Sequence, residues 1–184
     1  MTIRAKGVAV LAVQLALVLS IAVKYAWERH TCACVWTRAV QFDPEQPLRG
    51  RYLALTLIAD ACALPLDKAE PRNDWRNGRK TSDVGSWQWQ VLPRARDGAL
   101  TAVLADDSRP EDAEALVLRN GVPCSRASLN STTEFFIAEH AKAPFPLAKG
   151  EELWAEVTMP PSGPPRPVRL AVSDGRNFRV LALR

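Results

Sequence analysis

An uncharged apolar run near the N-terminus constrains this chain more than any other feature. It extends from Gly7 to Val23, with only Gln14 and Ser20 as polar interruptions. Extended to Trp27, it has about the 20 residues that a helix needs to cross the hydrocarbon core of a bilayer. The sequence therefore predicts a short tail over residues 1–6, a transmembrane anchor over residues 7–27, and a separate domain over residues 28–184.

The residues that flank the run bear on whether the anchor is retained. Lys24, Tyr25 and Trp27 follow it, and these residue types are typical of the membrane–water interface. The alternative is a cleaved signal peptide, because Ser20-Ile21-Ala22 has small residues at the cleavage spacing. A short N-terminal tail before a large domain favours a cytoplasmic tail. We therefore expect an integral membrane protein, with the bulk of the chain facing the periplasm or the exterior.

The charge of the chain does not favour nucleic-acid binding. The net charge is +4, but Arg4, Lys6 and Lys24 supply three of these charges, so the remainder of the chain is near neutral. Its basic residues are scattered among acidic ones, without the stripe that a phosphate backbone requires. We expect the membrane, and no nucleic acid, among its partners.

The domain after the anchor has the pattern of a mainly β protein. Leu53, Leu55 and Leu57 alternate along one face of a predicted strand. Asp97-Gly98 predicts a tight turn between strands at 87–93 and 99–104, and a second hairpin is predicted around residues 173–177. The charged, turn-rich stretch at about 65–85 is interpreted as a loop or insertion. The prediction is one N-terminal transmembrane helix followed by a small antiparallel β domain, barrel- or sandwich-like.

Four cysteines permit disulfides if the domain is exported. Cys32 and Cys34 lie close together next to the anchor, so Cys62 with Cys124 is the natural long-range bridge. Three pairings of four cysteines are possible, and buried thiols that pack as small apolar groups are the alternative.

A short motif resembles a known bacterial family. The segment from Asp43 to Leu57 is similar to the signature of the membrane-anchored GDYXXLXY family, which Gly50, Tyr52 and Leu55 match. The resemblance implies an N-terminal helix in the bacterial inner (cytoplasmic) membrane, a small β-rich domain and a polytopic membrane protein as partner. Arg51 stands at the position of the family's Asp, so no role of that Asp carries over. From the residues themselves, Leu55 is expected to pack in the core, and a ligand or partner surface around Arg49, Arg51 and Tyr52 is the alternative.

Candidate chemical sites are few. His30, Cys32 and Cys34 have like parity, so on a strand one imidazole and two thiols would converge on a soft metal such as Cu(I) or Zn(II). Two juxtamembrane thiols, or a bridge between them, are the simpler interpretation, and we predict no metal and no cofactor. Trp87 and Trp89 are candidates for an aromatic ligand platform or for core packing.

The function expected from the sequence is that of a single-pass membrane protein with a non-catalytic envelope domain, accessory to another membrane protein. The alternative is an envelope ligand- or metal-binding module that uses the Cys32/Cys34 region or an aromatic groove. No nucleophile elbow, phosphate-binding loop or zinc-protease motif is present in the sequence. No catalytic residue is predicted. A membrane-tethered hydrolase is the remaining alternative.

Overall fold

The fold was analysed in a computed structural model, which describes residues 3–42, 52–76, 79–106, 110–138 and 146–183. The chain divides into two compact units, Met1–Cys32 and Ala33–Arg184. The first unit is a helix and the second is a mainly β domain, as the sequence predicts.

Helix α1 extends from Ile3 to Thr31 and includes the whole predicted anchor. From Gly7 to Thr31 it is long and apolar enough to cross a membrane, with a mean hydropathy of 2.2 over its most apolar window. Its apolar side chains are exposed, for example Val18 at 64%. The Ser20 hydroxyl donates a hydrogen bond to the Leu17 carbonyl oxygen at 2.8 Å. This polar interruption is therefore satisfied within the helix, as a lipid environment requires.

In the described part of the second unit, ten strands form one sheet in which all neighbouring strands pair antiparallel. The order across the sheet is β10-β9-β8-β1-β2-β7-β6-β4-β3, and β5 also pairs with β4. The strands are β1 (Cys34–Phe42), β2 (Tyr52–Ala59), β3 (Glu70–Arg76), β4 (Arg79–Arg96), β5 (Ala99–Leu104), β6 (Glu114–Leu118), β7 (Ala127–Phe136), β8 (Glu152–Thr158), β9 (Arg166–Ser173) and β10 (Phe178–Val180).

The sheet curls and is tied back to itself at two places. The backbone of Asp60, just after β2, bonds to Leu100 and Ala102 of β5 at 2.9 Å each. The N–H of Ala138, just after β7, donates to the carbonyl oxygen of Leu183 at 3.1 Å. These bonds join segments that are not neighbours in the sheet, and the buried apolar residues form one core.

Strand pleating decides which side chains fill the core. On β2, Leu53, Leu55 and Leu57 are at most 5% exposed, which confirms the predicted apolar face. On β1 the odd positions from Val35 to Ala39 point inward, and the even positions from Trp36 to Val40 lie on the outer face. The site described below is built on this outer face.

Turn chemistry explains the predicted hairpins. Asp97 and Gly98 both have positive φ, at 51° and 75°, as a type I′ turn requires. The turn joins β4 to β5 in the register Arg96↔Ala99, which confirms the hairpin. The β9–β10 hairpin is confirmed as well, with Phe178 opposite Ser173.

The interpretation of residues 65–85 as a loop or insertion is wrong for most of that stretch. A 3-10 turn spans Leu66–Lys68, and β3 then pairs with the first part of β4. Because β3 is the end strand of the sheet, its polar and charged residues do not have to be buried on both faces. A hairpin here is compatible with a composition that otherwise indicates a loop.

Candidate functional site

A groove on the outer face of β1 and β2 is the candidate site. Two adjoining cavities of about 470 and 340 Å³ form it. Both volumes lie in the range of small-molecule sites, roughly 300–1,000 Å³. The two cavities adjoin because they share five lining residues, which are Val40, Gln41, Ile58, Val122 and Arg126. We call this feature the arginine groove.

The floor of the arginine groove is aliphatic. Val40 of β1 is 57% exposed, although Ala39 before it is buried in the core. Ile58 lies on β2, two positions from Thr56, which pairs with Val40. Val122 comes from the connection between β6 and β7. None of the described residues that line either cavity is aromatic.

An ion network closes one end of the groove. Arg38 Nε donates to Glu152 Oε2 at 2.7 Å, and Arg126 Nη2 donates to Glu152 Oε1 at 2.7 Å. The hydrogen bond from Arg38 is the main reason that the pKa of Glu152 lies below its ordinary value, and the charge of Arg126 adds to the effect. Burial opposes this shift only in part.

The network positions the two arginines more than it stabilises the fold. The side chain of Glu152 is 38% exposed, and solvent screens ion pairs at such positions. The guanidinium of Arg38 also stacks over the Trp154 ring, 4.8 Å from its centre. Arg38 is thus held by both an acid and an aromatic ring.

The other end of the groove carries an arginine that has no acidic partner among the described residues. Arg119 lines the second cavity together with Thr56, Val117 and Ser128. Within the described ranges, its guanidinium makes neither a hydrogen bond nor an ion pair. The excess positive charge of the described lining therefore lies at the Arg119 end of the aliphatic floor.

A disulfide holds the wall of the groove. Cys62, in the turn after β2, is bonded to Cys124, with their Cα atoms 4.8 Å apart. Cys124 begins the 3-10 turn that ends with Arg126, and the Ala61 N–H donates to its carbonyl oxygen at 3.0 Å. The predicted pairing is confirmed, and it fixes the segment that contributes Val122 and Arg126.

The weak metal candidates do not share a strand. Helix α1 continues to Thr31, so His30 is helical, whereas Cys34 is the first residue of β1. The prediction that His30, Cys32 and Cys34 lie on one face of a strand is therefore wrong, because the chain is extended only from Cys34 onward. Cys32 and Cys34 form no disulfide. No cluster of three or more metal-ligating side chains occurs among the residues for which positions are given.

The residues of the family motif lie in or next to β2. Leu55 is fully buried and packs in the core, as expected. Tyr52 is half-buried, and its ring lies 6.5 Å from that of Phe136 on β7. Gly50, together with Arg49 and Arg51, lies outside the described residues.

The aromatic residues on β4 do not form an exposed platform. Trp89 is 3% exposed, and its indole N–H donates to the carbonyl oxygen of Pro65 at 3.0 Å. Trp87 is 42% exposed. An aromatic cluster occurs instead on the outer face near β10, where Phe178 packs edge-on against both Trp36 and Trp154.

Sequence reasoning missed the charged residues of the groove. Arg38 and Glu152 are 114 positions apart in the chain, and they meet only because β1 pairs with β8. The one local signal was Arg38, a charged residue at an outward position of a predicted strand, two positions before Val40. Comparison of the chain with protein families, with curated proteins and with solved structures found no match.

Proposed function

We propose that this chain is a single-pass membrane protein whose β domain is a non-catalytic accessory to another membrane protein. The observation that carries the proposal is an exposed apolar helix of 25 residues followed directly by one β domain. Under the same proposal the chain is a member of the GDYXXLXY family, and its partner is a polytopic protein of the bacterial inner membrane.

Two further observations support this placement. A buried helix of a soluble protein would cover its apolar residues, whereas those of α1 are exposed. The Cys62–Cys124 disulfide is compatible with an oxidising compartment, which for a bacterial envelope means the periplasm or the exterior. The domain would then lie outside the cytoplasm, with the tail inside.

Carbonate extraction of membranes containing the full chain tests the anchor. The protein should stay in the membrane pellet, and a phosphatase fused to its C-terminus should be active if the domain is exported. The matched control is Leu15→Asp, which costs about 3 kcal/mol at the centre of a membrane helix and should release part of the protein. A wild-type chain found in the soluble fraction would exclude the anchor.

Gentle detergent extraction followed by mass spectrometry tests the accessory role. We expect one polytopic membrane protein to co-purify at a fixed ratio with the tagged full chain. A chain that stays in the membrane but purifies alone would contradict the accessory role and leave the anchor intact.

The arginine groove favours a second candidate, an envelope ligand-binding module. Its combination of a concave aliphatic floor and convergent charged groups is typical of ligand sites. The site of this function would be the groove on β1 and β2, away from the Cys32/Cys34 region and the tryptophans of β4.

A further inference from the structure

We propose that the arginine groove binds a single aliphatic chain that ends in a carboxylate, the chemistry of a fatty acid. The inference deepens the ligand-binding candidate and rests on it. It does not depend on the accessory role, which co-purification tests separately.

The charges of the groove select an anion. Arg38 and Arg126 share one carboxylate, that of Glu152. Glu151, the other acid in the lining, lies 3.9 Å from Arg179 and accepts a hydrogen bond from the Ala148 N–H. With Arg119 included, the described lining has three guanidinium groups and two carboxylates. The described lining is therefore net positive even when both of its acids are ionised.

The chemistry of arginine favours an oxyanion headgroup. A guanidinium has five N–H donors in a planar fork that matches a carboxylate or a phosphate. Arg126 uses one terminal nitrogen for Glu152, and within the described residues Arg119 uses none. These two side chains have donors left for a ligand, and the bond of Arg126 to Glu152 shows that the groove already accommodates the pairing.

The floor of the groove selects an aliphatic body. Val40, Ile58 and Val122 line both cavities, and Leu147 and Val117 extend the apolar lining at the two ends. Nucleobases are flat rings that are usually held by aromatic stacking, which the described lining does not offer. A flexible alkyl chain gains free energy from aliphatic burial alone.

The position of the groove argues against an extended peptide. Peptides that bind to sheets usually add a strand at an edge, where backbone N–H and C=O groups are unpaired. Val40 and Ile58 belong to β1 and β2, and each of these strands is paired on both sides. A peptide lying on this face would leave its own backbone groups without partners, whereas an alkyl chain has none to satisfy.

Calorimetry on the full chain in zwitterionic nanodiscs tests the inference, with empty nanodiscs as the blank. Three probes separate the contributions of the ligand's carboxylate group and its alkyl chain. Decanoate has both features, acetate lacks the tail, and decyltrimethylammonium carries the opposite charge. We expect saturable binding of decanoate at one site per chain and no saturable binding of the other two.

Substitutions connect the binding to the groove. Arg119→Gln removes a guanidinium that holds no other described residue, so folding should be intact, and the Kd for decanoate should rise about tenfold. Val40→Asn should weaken binding by making the floor polar. The matched control is Arg176→Gln in the β9–β10 turn, where only the backbone N–H of Arg176 bonds, to Asp174. This control should bind as the wild type does.

Several results would overturn the inference. Decanoate that binds no better than to empty nanodiscs excludes the site. Equal binding of decyltrimethylammonium excludes charge selection, and equal weakening by Arg176→Gln places the binding elsewhere. Saturable binding of decyl phosphate with no binding of decanoate would assign the groove to phosphate headgroups instead of fatty acids.

Discussion

The disulfide between Cys62 and Cys124 gives the sharpest prediction about stability. The two cysteines are 62 positions apart in the chain, and a cross-link that closes a loop of this size stabilises a fold by about 4 kcal/mol through the entropy of the unfolded chain. Both residues are exposed, so serine side chains there would stay hydrated and add no buried polar group. Replacing both with serine should therefore lower the free energy of unfolding by close to the full amount.

Urea unfolding of the full chain in nanodiscs, followed by tryptophan fluorescence, measures this loss. Trp89 is buried in the core of the β domain, so its emission should change when the core opens. With a slope of about 2 kcal/mol per molar urea, the midpoint should fall by about 2 M. The matched control is Cys34→Ser, which makes the same chemical change at an exposed cysteine outside the bridge. Its midpoint should move by less than about 0.5 M.

A loss below about 1 kcal/mol in the double variant would refute the reasoning. It would mean that residues 62 and 124 are already close together in the unfolded chain, or that the cross-link strains the folded state. Reducing agent provides a second check, because the reduced wild type should unfold at the midpoint of the double variant.

Three further changes have expected outcomes that biophysical measurements can check. Leu55→Ala should cost about 2–5 kcal/mol in urea unfolding, because the side chain is fully buried and its removal leaves a cavity. Gly85→Ala should lower the melting temperature more than Gly98→Ala. Both glycines have positive φ, but only at Gly85 would a new Cβ lie 2.9 Å from Asn120. The two arginines lower the pKa of Glu152 in the folded state from its ordinary 4.5. Its contribution to stability is thus complete above pH 4.5 and is lost as the pH falls through the lowered pKa. The midpoint of urea unfolding should fall less at acidic pH in Glu152→Gln than in the wild type. An equal fall in both proteins would exclude this ion network as its cause.

The parts of the fold that sequence reasoning captured depend on local chemistry. Leu53, Leu55 and Leu57 share a face because successive side chains of a strand alternate, whatever the strand pairs with. Asp97-Gly98 specifies its hairpin because few residue pairs tolerate positive φ at two successive positions. The continuous apolar run likewise specifies α1, since no long-range partner is needed to form a helix.

The parts that it missed depend on strand order or on where an element ends. β3 is an end strand, and its charged composition indicates a loop unless that position in the sheet is known. The end of α1 at Thr31 has neither Gly nor Pro to mark it, and the basic residues Arg29 and His30 of its last turn are a weaker signal, so an extended chain was expected at His30. Arg38 and Glu152 form one network only because β1 and β8 are neighbours. Pairing between strands so far apart in the chain leaves no local signal.

Strand β1 separates the stability of the domain from its proposed binding function. Its odd positions Val35, Thr37 and Ala39 are at most 6% exposed, whereas Val40 is 57% exposed. The two sets lie on opposite faces of one pleated strand, so substitutions at Arg38 or Val40 change the groove without opening a cavity in the core. A loss of binding at the even positions with an unchanged urea midpoint would therefore report on the groove itself. A loss of binding accompanied by a lower urea midpoint would mean that the outer face also stabilises the β domain. Binding and stability would then not be separable on this strand.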